Sequence, residues 1–197
     1  MTRVVLLLAS LALSACAGAR VAPLPYVSTT TPVAGSGQVA VGAVTDTRGR
    51  ADPNSYGVVR GLYGNTIRGF STDGPVTATV AKALSDALAA RGMLSRTGGG
   101  NEVRVTVSQF DATSYFRLEA KVMLLAQVVN AAGRTIYETK GQSMKVRGTG
   151  NQIGGVLFSD MDALSTLMPA AMSEAIDQIV DDAGFRRAVA GAGRPGV

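Results

Sequence analysis

Alternating apolar and polar positions predict four strands in this chain. Residues 38–46 alternate from Val39 onward and end at Asp46, as a first buried strand would. The same alternation returns over residues 103–108 and 116–122, and the second of these strands runs on to residue 126, where the alternation stops. After a turn over residues 130–133, a further strand is predicted over about residues 134–146, and the links between these strands are short. Consecutive strands that alternate and are joined by short links form an antiparallel meander with one face on the core.

Two segments have the helical period instead. A helix is predicted over about residues 75–91. It opens at Gly74-Pro75, with Pro75 at the first helical position, and Gly92 is a natural stop. A closing helix is predicted over about residues 165–183, beginning near Pro169 or kinked there. Each helix has a single apolar stripe and each strand buries alternate residues, so each layer needs the other. The pattern therefore predicts an α+β fold, with an antiparallel β-sheet of four or more strands and both helices packed on one face.

Between the first strand and the first helix lies a long, glycine-rich excursion, residues 47–74, in which a loose hairpin is one arrangement. Long loops often carry function, and aromatic and arginine side chains are enriched at binding hot spots. The excursion is expected to be mobile alone and ordered on a partner. The alternative is that its side chains pack over their own sheet. The candidate partner-binding residues are Tyr56, Arg60, Tyr63, Arg68 and Phe70.

The amino terminus has a different pattern. A basic start at Arg3 is followed by an apolar run over residues 4–13, then by small residues and the lone cysteine, Cys16. The run is shorter than the ~20 residues of a membrane-spanning helix, which favours a signal peptide. Residues 1–15 are therefore predicted to be the signal peptide, 16–37 a flexible tether, 38–190 one periplasmic domain and 191–197 a disordered tail.

The segment Leu13-Ser14-Ala15-Cys16 resembles the lipobox of bacterial lipoproteins. The resemblance implies cleavage before Cys16, a thioether-linked lipid on its sulfur and fatty acylation of the new amino terminus. The alternative is an ordinary secreted protein with one unpaired cysteine, which would be a liability in an oxidising compartment.

The composition excludes several kinds of catalytic and metal-binding site. The chain has no histidine, and its only thiol is expected to carry lipid, so the usual general base and thiolate chemistry are excluded. No acidic cluster has the spacing of a calcium loop. We therefore predict no enzyme activity and no catalytic residue, cofactor or metal. The net charge of +5 is mild and scattered, so nucleic acid is not expected as a partner.

The chain also resembles a family, the YajG-like bacterial lipoproteins. The likeness rests on residues 39–48, a strand ending in Asp-x-Arg, and on residues 83–92, 103–110 and 175–182. The helix and the strand over residues 103–110 are also similar to lipoprotein subunits that accompany envelope lipid-transport systems. Both resemblances imply an α+β domain, and neither supplies a catalytic residue.

We expect a lipid-anchored interaction module that docks on a larger transport, efflux or secretion assembly. The membrane is a partner through the lipid on Cys16, and an envelope protein complex is the second. Self-association or a place in a ring-like assembly is left open. Ala17 follows the cysteine where the lipobox resemblance would place aspartate for inner-membrane retention, so the outer membrane's periplasmic face is predicted.

The alternative function is a carrier or sensor of a lipid or small apolar ligand between helices and sheet. Methionine side chains line adaptable pockets, although at helical spacing they are more often plain core. The candidates for such a pocket are Met123, Met144, Met161, Met168 and Met172.

Overall fold

A computed structural model describes residues 20–61, 63–97, 100–115, 117–148 and 161–191, with the side chains of residues 161–163 left out. The predicted signal peptide and Cys16 lie outside these ranges. Seven strands and three helices follow in chain order. They are β1 (Arg20–Val21), β2 (Ala40–Asp46), β3 (Ser55–Arg60), β4 (Thr66–Ser71), α1 (Val76–Ala90), β5 (Glu102–Ser114), β6 (Arg117–Val129), β7 (Thr135–Gly148), α2 (Met161–Val180) and α3 (Ala183–Gly191).

The α+β class is confirmed, but the sheet is mixed. Strands β5, β6 and β7 form the predicted antiparallel meander. Strands β2 and β3 both pair with β5 in parallel, β2 along its first half and β3 along its end. Strand β1 is parallel to β4. The antiparallel prediction was wrong for these pairs, because periodicity reports which face a strand buries but not the direction of its neighbour.

Both predicted helices pack on the buried face of the sheet. In β6 the buried positions alternate from Leu118 to Val128, and their side chains join those of α1 and α2 in one hydrophobic cluster. Helix α2 lies over β7 and β6 and also contacts α1. It continues through Pro169. The prediction that each layer covers the other is therefore confirmed.

A close approach fixes α2 on β7. A Cβ atom added to Gly141 would lie 1.8 Å from the carbonyl oxygen of Ala175, so only glycine allows this contact. The side-chain oxygen of Gln178 accepts a hydrogen bond of 2.9 Å from the backbone N–H of Gln142, on the edge strand. Helix α2 thus satisfies part of an edge that would otherwise be open to strand pairing.

A third helix closes the described chain. Helix α3 covers Ala183–Gly191, beyond the predicted closing helix, and buries Phe185 and Val189. The disordered tail was predicted for residues 191–197: Gly191 is the last residue of α3, and residues 192–197 lie outside the described residues. Among the described residues, no helix is long and apolar enough to cross a membrane.

Candidate functional site

The glycine-rich excursion folds as the β3–β4 hairpin. The two strands are antiparallel, and β3 continues the edge of β5 beyond the point where β2 ends. Tyr56 and Phe70 are completely buried, with ring centroids 6.0 Å apart, and Tyr56 meets Phe110 edge-on at 6.2 Å. The prediction that Tyr56 and Phe70 bind a partner was therefore wrong, because the mixed sheet turns both rings into its own core.

The other three candidates remain at the surface. Tyr63, at the turn of the hairpin, is 92% exposed, and Arg60 and Arg68 are exposed on the strands beside it. The guanidinium of Arg60 donates a 3.0 Å hydrogen bond to the carbonyl of Gly64, which braces the turn. The structure thus separates the five candidates into two core aromatics and three exposed residues, for which partner binding stays a prediction.

The Asp-x-Arg motif closes the gap between β2 and β3. The Arg48 side chain is only 2% exposed and holds the carboxylate of Asp46 with two bonds, of 2.7 and 2.9 Å. It also donates to the carbonyls of Ser55 (2.8 Å), Pro53 (3.1 Å) and Phe110 (3.3 Å). Hydrogen bonding to Arg48 lowers the pKa of Asp46. The motif is therefore structural: it supplies donors where the edge of β5 lacks a strand.

The predicted tether is part of the folded body from residue 20 onward. Ala22 and Leu24 are buried, and the backbone N–H of Gly35 donates to the carbonyl of Arg91. Residues 20–37 therefore form a strap, a name we keep for this segment, laid against the helices. The prediction of a flexible tether was wrong for residues 20–37, because the strap's partners lie far away in the sequence and leave no local pattern.

A buried ionic cluster holds the strap. Arg91, just after α1, donates to Asp177 at 2.9 Å and to Asp181 at 2.7 Å. Asp177 lies in the last turn of α2, and Asp181 follows the last residue of that helix. The Tyr26 hydroxyl accepts from Arg91 at 3.0 Å and donates to Asp177 at 2.5 Å. The backbone N–H and hydroxyl of Thr29 donate to the other oxygen of Asp177, at 2.6 and 2.7 Å.

The cluster shifts the titration of its members. Burial alone would lower the pKa of Arg91, but the bonds to Asp181 and Tyr26 outweigh it and raise that pKa. Burial would raise the pKa of Asp181, but bonds from Arg91, Thr30 and Arg186 lower it. Burial and the bond to Asp177 raise the pKa of Tyr26. At neutral pH Arg91 is therefore protonated, Asp181 ionised and Tyr26 neutral, and we call the cluster a clamp because it holds the strap on the helices.

The methionines do not gather around one cavity. Met168 and Met172 are completely buried in the core between α2 and the sheet. Met123 and Met144 lie on the opposite, outer face of the sheet, where Met144 is 59% exposed. The side chain of Met161 lies outside the described residues. The predicted methionine-lined pocket was therefore wrong for the four methionines whose side chains are described.

A groove lies instead between the strap and α2. Its volume is about 640 Å³, and its walls are mostly apolar. The apolar lining includes Val21, Pro25, Val27, Pro169 and Ala170, with serine and threonine side chains between them. Within the described residues, no group of three or more acidic, cysteine or histidine side chains is placed to hold a metal.

Comparisons with known proteins add the fold but no function. No protein-family model matches the chain, and no curated protein does. The solved structure of XCC0632 from Xanthomonas campestris, a DUF330 protein, has a TM-score of 0.54 and 17% identity, covering 88% of this chain and 94% of that one. At this identity the likeness shows a shared fold alone.

Two other structures are less similar. A PelC dodecamer from Paraburkholderia phytofirmans has a TM-score of 0.41 and 9% identity, covering 77% of this chain and 89% of that chain. Lipoprotein GNA1162 from Neisseria meningitidis has a TM-score of 0.29 and 10% identity, covering 68% and 99%. Neither likeness carries an argument about this chain, and the resemblance to YajG-like lipoproteins stays a prediction.

Proposed function

We propose that the protein is a lipid-anchored, non-enzymatic accessory module that docks on a larger assembly of the bacterial envelope. It is anchored through Cys16 in the outer membrane and faces the periplasm. The signal-peptide pattern and the lipobox resemblance support the anchor. The clamp supports a module rather than a loosely tethered domain, because it holds the chain from residue 20 onward on the folded body.

The observation that carries the docking proposal is a patch on the outer face of the sheet in which exposed apolar side chains lie beside a lysine and a glutamate. Met144 and Val146, on β7, are 59% and 46% exposed. Lys121 and Glu119 of β6 lie directly opposite them, and the half-buried Met123 is diagonal to Met144. Helices α1 and α2 bury the other face. Methionine is enriched in the cores of protein interfaces and adapts to partners of varied shape. We infer that this outer patch receives the protein partner.

The test compares two matched aspartate substitutions on β7 in the mature protein, extracted in gentle detergent. Met144→Asp should abolish recovery of the partner complex, because it replaces the more exposed of the two apolar side chains on β7 by a charge. Ile136→Asp, on the same strand at the opposite end of the sheet, should leave recovery unchanged. Both variants should melt like the parent protein. Equal recovery with both variants would reject the outer patch as the docking surface.

The groove between the strap and α2 favours a second candidate function, the binding of a lipid or other small apolar ligand. Its volume of about 640 Å³ falls within the usual range of ligand pockets, and its lining is mainly apolar. Native mass spectrometry of the purified protein should then show a bound lipid. Ala170→Trp, which fills the groove, should remove it, whereas Ile136→Trp should not. A ligand-free parent protein would leave the module as the sole proposal.

A further inference from the structure

One end of the sheet is lined with arginine. Arg68 on β4 lies in the same transverse row as Arg147 on β7, connected through the paired residues of β3, β5 and β6. Arg60 and Arg117 lie one step further out, at the end of β3 and the start of β6. All four are exposed. Glu119, an acidic residue next to these arginines on β6, is mostly buried and forms ion pairs with Arg117 and Lys121.

The same end presents apolar side chains beyond the arginines. Tyr63, at the turn of the hairpin, is 92% exposed, and Ile67 on β4 is 47% exposed. An exposed tyrosine flanked by arginines suits the boundary between lipid headgroups and water, where the ring meets the acyl region and the guanidinium groups meet phosphate. The arrangement therefore has the chemistry of an interfacial contact.

The direction of β1 links this end to the anchor. Arg20 pairs with Phe70, two positions from Arg68, and β1 runs parallel to β4, whose first residue adjoins the turn of the hairpin. The chain thus enters β1 from the side of the arginine-lined end. Cys16 is four residues earlier, within about 14 Å of Arg20 even at full extension. Because the clamp fixes the strap, the anchor has little freedom to turn another face toward the membrane.

We propose that this arginine-lined end rests on the membrane that holds the lipid of Cys16, with Tyr63 at the level of the headgroups and the arginines on anionic phosphate. The inference rests on the lipid anchor of the proposed function. It adds a second, electrostatic contact to the lipid and gives the module a fixed orientation, since basic clusters are attracted to anionic leaflets. The outer patch, whose Val146 directly precedes Arg147, lies next to this contact, so the protein partner would bind beside the membrane.

The test uses the absence of tryptophan from the chain. In the mature lipidated protein, Tyr63→Trp places a single tryptophan at the turn of the hairpin, which can be excited selectively over the remaining tyrosines. In vesicles of equal parts phosphatidylglycerol and phosphatidylethanolamine, its emission should shift to shorter wavelength and be quenched by brominated lipid. Ala132→Trp, at the exposed β6–β7 turn on the opposite end of the sheet, should show neither effect.

Charge-matched variants test the role of the arginines in the Tyr63→Trp protein. Arg60→Gln with Arg147→Gln should lower the quenching of the introduced tryptophan at least about twofold, because the basic contact with phosphatidylglycerol is weakened. Arg96→Gln with Arg134→Gln removes the same charge from the opposite end and should leave the quenching unchanged. Equal effects of the two pairs would overturn the proposed contact.

Vesicle flotation separates this proposal from the anchor itself. If the protein floats with vesicles but the tryptophans introduced at positions 63 and 132 are equally unquenched, the anchor holds and the membrane-facing orientation is wrong. If a photo-crosslinker at residue 63 joins a protein in intact envelopes, in place of lipid quenching, the hairpin binds protein and the proposal fails. If the parent protein does not float, the anchor is absent, and the proposed function fails with it.

Discussion

The guanidinium of Arg91 donates to the carboxylate of Asp177 at 2.9 Å, and neither side chain reaches solvent appreciably. The bond joins the end of α1 to α2, and the remaining oxygen of Asp177 accepts from the strap at Thr29. One buried carboxylate therefore holds three segments together. A buried ion pair of this kind contributes chiefly through the cost of breaking it, since a lone charge would remain in the core.

Asp177→Ala should destabilise the domain strongly. Removing one partner of a buried pair typically costs about 3–5 kcal/mol, because the other charge is left uncompensated. The matched control is Asp86→Ala, which breaks the Lys82–Asp86 pair on the surface of α1 and should cost less than about 1 kcal/mol. Urea denaturation monitored by circular dichroism measures both. Similar losses of unfolding free energy in the two variants would show that the buried ion pair stabilises the domain no more than the surface pair does.

Arg48→Ala should also destabilise the domain, by about 2–3 kcal/mol, because three backbone carbonyls and Asp46 lose a buried donor. Arg48→Lys should recover only part of the loss, since one ammonium cannot reproduce the planar fork. Arg50→Ala breaks the more exposed pair with Asp111 and is the control, with an expected effect under about 1 kcal/mol. Chemical denaturation would contradict this account if Arg48→Ala matched the control.

Two substitutions of Tyr56 should have different effects on the free energy of unfolding. Its hydroxyl is buried without a hydrogen-bond partner among the described residues, and burial raises its pKa to about 12. Tyr56→Phe should therefore leave stability unchanged or raise it by up to about 1 kcal/mol, because an unsatisfied polar group is removed. Tyr56→Ala should cost about 3–5 kcal/mol through the cavity it leaves. A large loss in Tyr56→Phe, read from thermal melts, would indicate an essential hydroxyl contact.

The burial of Tyr56 also changes the expectation for the whole excursion. The sequence alone favoured a segment that is mobile without a partner, so that shortening it would leave stability unchanged. Since the β3–β4 hairpin places both Tyr56 and Phe70 in the core, replacing it by a tight turn should abolish cooperative unfolding.

The meander and the two main helices were predictable because their apolar periods are local. The apolar residues from Val103 to Val107 recur at every second position, as in a strand. Those from Val76 to Leu88 recur with the period of a helix, so each element can be identified from its own short stretch of sequence. The hairpin was harder, because glycines at 57, 61, 64 and 69 are typical of a loop. Its strand status depends on pairing with β5, whose partner residues are about fifty positions away.

The candidate site was predictable in part for the same reason. The composition around Tyr63 indicated an exposed aromatic and its arginines, but no local signal distinguished Tyr63 from Tyr56. The strap gave no signal either: it buries few apolar groups and depends on Asp177, about 150 residues away. Asp181 and Asp182 form an acidic pair at the end of the closing helix, of a kind that is usually solvated, and nothing in the local sequence distinguishes Asp177. Arg91, directly before the stop at Gly92, was the residue that sequence reasoning missed.

The clamp should make the domain sensitive to acid through Asp181. Although burial would raise the pKa of this carboxyl, bonds from Arg91, Thr30 and Arg186 lower it below its ordinary 3.8 in the folded protein. A carboxyl whose pKa is lower when folded stabilises the folded state above its ordinary pKa. That stabilisation is lost as the pH falls through the folded value. Stability should therefore decline as the pH drops below about 4.

Asp181→Asn isolates this contribution because it keeps the shape of the side chain and removes its charge. At neutral pH the variant should be less stable than the parent protein, since Arg91 and Arg186 lose a charged acceptor. The difference should shrink toward zero as acid protonates Asp181 in the parent. Urea unfolding of both proteins, from neutral pH down to about pH 2, measures the gap. A gap that stays constant over that range would mean that the Asp181 charge does not stabilise the clamp.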